Sequence, residues 1–201
     1  MMKRKILIST LCAAVIITGV IAGTLAVSAA ETKTITENME SIQELLLDEE
    51  ISLSEYTQSI HTLNRVLESK KLQSVKATIT FEASVSVEEA YRMTQPNSML
   101  LERLEMRFYR GAEPFTAFIL NLGEEAVKEQ IQRIESENDI VFDGVISANG
   151  CLPSEGLSVL EKLPNVYCVD ASADDYLEEK SGIQSEQKAV YRKSLAWELG
   201  N

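Results

Sequence analysis

The chain has 201 residues, with 19 Lys and Arg against 31 Asp and Glu, a single His and a net charge of −12. That acidity argues against nucleic acid as a partner, since such affinity rests on basic side chains, and one His excludes a multi-His metal site or a His-rich catalytic cluster. A hydrophobic content of 45% with 9 Gly and 4 Pro belongs to a folded chain rather than a disordered one.

Residues 1–30 form the first unit. Lys3, Arg4 and Lys5 precede an uncharged run over residues 6–30, which Glu31 closes. A basic stub before an apolar run is an export pattern. Two readings stay open. A signal peptide would be cleaved near Ala29 or Ala30, after small residues. A signal anchor would stay, because 25 uncharged residues at about 1.5 Å each exceed a hydrocarbon core of roughly 30 Å. Both keep the basic stub in the cytoplasm and place residues 31–201 outside, attached to the membrane or secreted. With Lys3, Arg4 and Lys5 set aside, that exported body carries −15. Gly19 and Gly23 are spaced to let two membrane helices approach, which makes a homodimer a candidate. Cys12 follows Leu11, a large residue where a lipoprotein site needs a small one. In an oxidising compartment Cys151 and Cys168 become a candidate disulfide.

Residues 31–72 are expected to form a helical hairpin. Met39, Ile42, Leu45 and Leu46 share one face of its first helix, and Leu53, Tyr56, Ile60, Leu63 and Leu67 recur at helical steps along its second. Ser52 with Glu55 spells a capping box, and Ile51 with Tyr56 stands at the staple positions. A hairpin cannot bury both stripes alone, so it must dock on the following domain or on another chain.

Residues 73–172 carry the α+β pattern. Val75, Ala77, Ile79 and Phe81 alternate with Lys76, Thr78, Thr80 and Glu82, a strand with one wet face. Ser86 with Glu89 opens a short helix that Pro96 stops. Leu104–Tyr109 and Phe115–Leu120 flank a turn at Gly111–Pro114 and give two more strands, the second apolar enough to be a buried one. Glu124–Glu137 is expected as a helix, Phe142–Ala148 as a strand, Pro153–Leu163 as a helix and Val166–Asp170 as the last strand. The expected fold is α+β: a ferredoxin-like antiparallel sheet with helices on one face and an extra α-β unit. Residues 173–201 form a polar tail, expected to be loosely attached, with a candidate terminal helix carrying Leu195, Trp197 and Leu199.

Val145-Ile146-Ser147, then Leu152, a helix with Leu157 and Leu160, and Leu163-Pro164-Asn165-Val166-Tyr167-Cys168-Val169-Asp170 together resemble the second half of the subtilisin-type propeptide, or inhibitor, family. The resemblance spans residues 145–170. It implies a module that chaperones and inhibits a subtilisin-like protease, with Val169, Asp170, Ala171 and Ser172 as the inhibitor-like segment. No protease follows in the chain, and Glu124–Glu137 looks inserted relative to the family.

The residues offer little chemistry. His61 is the sole imidazole, on a helix, with no nucleophile pattern near it and no G-x-S-x-G motif. Asn149-Gly150 reads as a turn and not a phosphate cradle. Asp48-Glu49-Glu50, Asp174-Asp175 and Glu178-Glu179 are dense acidic runs expected in solvent. Asp170, Asp174 and Asp175 lack calcium-loop spacing. The expectation is a non-enzymatic extracytoplasmic protein without cofactor or metal, binding an unknown protein partner. A protease-inhibitor module is one alternative. A small hydrolase using Asp48, Glu50, Asp170 and Asp174 is another.

Overall fold

The computed structural model describes residues 52–136, 139–174 and 191–200. The expected export segment with Gly19 and Gly23, the first helix of the expected hairpin, Asp48, Glu50, Asp175 and the run at Glu178 lie outside the described residues.

The elements follow the chain as α1 (Leu53–Lys70), β1 (Val75–Val85), α2 (Val87–Thr94), β2 (Leu100–Arg110), β3 (Glu113–Leu120), α3 (Glu124–Glu135), β4 (Ile140–Leu152), α4 (Leu157–Leu160) and β5 (Val166–Asp170). The protein is α+β. Its five strands form one sheet in the order β3-β2-β4-β1-β5, and every neighbouring pair is antiparallel.

Local chemistry accounts for the element ends. Ser52 caps α1: its hydroxyl accepts from the Glu55 N–H, and the Glu55 carboxylate accepts from the Ser52 N–H at 2.8 Å. Those bonds hold the Glu55 carboxyl below its usual range. Ser86 caps α2 in the same way, but the carboxylate of Glu89 turns outward to Asn165 and Arg92 instead of closing the box. Pro96 lies in a single 3-10 turn, Gln95–Asn97, that ends α2. The two-residue turn between β2 and β3 has Gly111 at φ +61°, as a II′ hairpin asks of its first residue.

One core lies between the sheet and the helices. Tyr56, Ile60, Leu63 and Leu67 of α1, Val87 and Ala90 of α2, Val127 and Ile131 of α3, and Leu157 and Leu160 of α4 join Val75, Ala77, Ile79, Phe81, Leu104, Met106 and Phe108 in a single buried cluster. The apolar stripe of α1 is therefore satisfied by the sheet domain itself.

Four expectations of the fold are corrected. Asn149-Gly150 is not a turn: both residues sit inside β4, opposite Thr78 and Ala77 on β1. Asn149 Nδ2 donates to the Thr78 hydroxyl at 2.8 Å, and a Cβ on Gly150 would stand 2.3 Å from the Leu100 carbonyl oxygen, so glycine is required by close approach. The helix expected over Pro153–Leu163 shrinks to a 3-10 turn, Ser154–Gly156, and one turn of α4. Residues 191–200 are not loosely attached. They form a strap of turns across the sheet face opposite the helices, with Tyr191, Leu195 and Ala196 buried. The Thr78 hydroxyl donates to the Arg192 carbonyl at 2.9 Å, and the Leu195 N–H donates to the Thr80 hydroxyl at 3.0 Å. Thr78 and Thr80, read as wet, are buried beneath it.

Candidate protein-binding surface

The sites expected from the sequence are dispersed. Cys151 and Cys168 are both free thiols, which corrects the disulfide expectation. Cys151 faces Lys76 and Cys168 faces Thr80, on strands that lie on opposite sides of β1. Two strand spacings and four residues of stagger separate them by roughly 10 Å across and 13 Å along, beyond the reach of a disulfide. Burial, with the charges of Asp170 and Glu161, pushes the Cys168 thiol well above its usual value, which is the reverse of what a nucleophile needs.

His61 Nδ1 lies 3.0 Å from Glu161 Oε1, and Asn64 Nδ2 donates to the same oxygen at 2.6 Å and to the Val169 carbonyl at 2.6 Å. These contacts tie α1 to the ends of α4 and β5. The segment Val169, Asp170, Ala171 and Ser172 is buried throughout. Asp170 accepts from the Tyr56 hydroxyl at 2.7 Å and from the Ser172 N–H at 2.9 Å, while Arg192 donates to the Ser172 hydroxyl at 3.1 Å. Asp174 accepts from the Lys76 N–H at 2.9 Å. Among the described residues, no three His, Cys, Asp or Glu side chains stand together as a group that could hold a metal ion.

A different surface stands out at one edge of the sheet. β3 is an edge strand, and from Pro114 to Gly123 the chain carries no charge, although a quarter of all residues are charged. Phe118 is 58% exposed, Leu120 66% and Leu122 73%, and the neighbouring strap adds Trp197 at 41%. Behind them the Arg103 guanidinium stacks between the rings of Phe118 and Tyr191, at 4.8 and 5.2 Å from the centroids, while its Nε donates to Asn149 Oδ1 at 2.9 Å. Trp197 borders two open clefts of about 330 and 270 Å³. Single exposed apolar residues are ordinary, but a row of apolar side chains along a strand with one open side is a candidate interaction surface. The sequence placed β3 as a buried strand, since an apolar run alone does not say which strands end a sheet. Its one available signal was the length of the uncharged run.

Compared with protein-family models, curated proteins and solved structures, the chain has no match in any of the three. Among the described residues no helix is long and apolar enough to cross a membrane.

Proposed function

We propose that this chain is a non-enzymatic extracytoplasmic protein, delivered or tethered by residues 6–30, whose α+β domain binds protein through β3. The observation that carries this reading is the edge strand and its continuation, uncharged from Pro114 to Gly123, with Phe118, Leu120 and Leu122 turned to solvent beside Trp197. An extended partner gains backbone hydrogen bonds from such an edge and specificity from the side chains beside it. Without β3 and α3, the order β2-β4-β1-β5 has α2 joining β1 to β2 and α4 joining β4 to β5. Each crossover leaves one strand between its ends, as in the ferredoxin-like plan. The fold supports a binding module without specifying what it binds.

The test is crosslinking of the membrane and secreted fractions at native expression. A partner should be captured by the parent chain and lost in Phe118→Lys and Leu120→Lys; capture unaffected by either substitution would remove the reading. The strand order also favours a second reading, the protease-inhibitor module. Val169–Ser172 are buried and committed to internal bonds, so that reading would need residues beyond Asp174 to enter the protease. Cleavage of the domain by a subtilisin-like protease without delay would end it.

A further inference from the structure

We infer that the occupant of the β3 edge is a second copy of this chain, paired antiparallel about a two-fold axis at Phe118 to make one ten-stranded sheet. The inference rests on the proposed protein-binding role of β3 and names the partner.

The backbone sets the register. The Asn121 N–H donates to the Glu102 carbonyl at 2.8 Å, so odd-numbered residues of this stretch turn their backbone groups toward β2. Because orientation alternates along a strand, Thr116, Phe118 and Leu120 present their N–H and C=O groups outward. Pro114 shares that outward orientation but has no N–H, which ends the usable ladder on one side. On the other, the chain leaves the sheet at Leu120. The free ladder is thus centred on Phe118, and an antiparallel second copy pairs Phe118 with its own counterpart and Thr116 with Leu120, giving about six backbone hydrogen bonds.

Side chains in this register are self-complementary. Phe118 meets Phe118 across the axis, Thr116 meets Leu120, and Pro114 meets Leu122, with no charged residue in any of these pairs. This matters because the exported body carries −15, so two copies repel wherever acidic surfaces meet. The uncharged strip is a place where close approach avoids that cost. From Pro114 to Gly123 a basic partner would find no charge to complement, whereas another uncharged strand is what this stretch can accept, and the chain carries one. If the export segment stays in the membrane, two tethered copies also share a high effective concentration.

The experiment places p-benzoylphenylalanine at position 118 of the full chain, with irradiation in intact producing cells and identification of the adduct by mass. The expected adduct has twice the chain's mass, contains this chain alone, maps to β3 of both copies, and falls at least tenfold in Thr116→Pro. That substitution removes an outward N–H and leaves the ladder to β2 in place. Phe118→Glu, tested with the photoprobe at Leu120, should give the same loss, and circular dichroism should show both variants folded. An adduct with a different protein overturns the second-copy assignment while leaving the protein-binding function standing. No adduct at either position overturns both. A self-adduct that survives Thr116→Pro and Phe118→Glu in folded protein overturns the strand pairing.

Discussion

Tyr56 and Asp170 show how much one buried pair connects. The phenol on α1 donates to a carboxylate at the end of β5, 114 positions away in the chain, and both side chains are buried. Tyr56→Phe leaves the carboxylate with one donor fewer and is expected to cost about 1.5–3 kcal/mol, read from urea unfolding. Burial, and then the charge of Asp170, pushes the Tyr56 phenol upward from its ordinary value of 10.0. The folded state therefore holds that proton more tightly than the unfolded chain. Stability from this group is complete below about pH 10 and falls as pH rises further, because the unfolded phenol ionises first. Unfolding free energies between about pH 8 and pH 11 should fall less steeply in Tyr56→Phe than in the parent. The slope should not vanish, since Tyr91, Tyr167 and Tyr191 are shifted in the same direction, chiefly by burial. The thiols give a second expected outcome. Native-state alkylation should label half-buried Cys151 and spare Cys168 until the chain unfolds; equal labelling rates would contradict the burial of Cys168. None of these pairings was legible in the sequence. A Tyr on an apolar stripe and an acid at a strand end carry no mark of each other.

At the scale of elements, the period of hydrophobicity located nearly every helix and strand, and Ser52 and Ser86 marked two helix starts that the hydrogen bonds bear out. The failures came where the partner is remote. Thr78 and Thr80 alternate with Ile79 and Phe81 as the wet side of a strand should, yet the strap buries them. Polar residues can line a covered sheet face when the covering segment supplies backbone partners, and such a layer imitates a solvent face in any period count. Leu195 is the apolar anchor of the strap and joins the main core. Leu195→Ala is expected to cost about 2–5 kcal/mol, with thermal unfolding as the readout. A loss near zero would mean that residues 191–200 do not seal the sheet in solution. The edge position of β3 belongs to the same class of information. Phe115–Leu120 has the composition of a buried strand, and only the sheet order leaves Phe118 and Leu120 uncovered.

For the whole molecule, the distribution of charge sets the expectations. A +3 stub and a −15 body lie on either side of the uncharged run at residues 6–30, and the acidity of the body favours solubility and repulsion from anionic surfaces. Intact mass of the cell-associated protein is expected to begin at Met1 if residues 6–30 anchor it, and near Ala30 or Glu31 if they are cleaved. The described body also unites what the sequence divided at residue 72: α1 shares its core with the sheet, so removing α1 would strip away part of that core rather than free a separate domain. By itself the sequence determined the basic stub and uncharged run of residues 3–30, the acidic body, the α+β alternation and the helix starts. Each of these is carried by composition or by neighbours two to four residues apart. The strand order, the separation of Cys151 from Cys168, the buried threonine layer and the open edge of β3 were decided only by tertiary structure. They depend on which remote segments meet, and a local period is the same whether the face it describes ends against water, a strap or another chain.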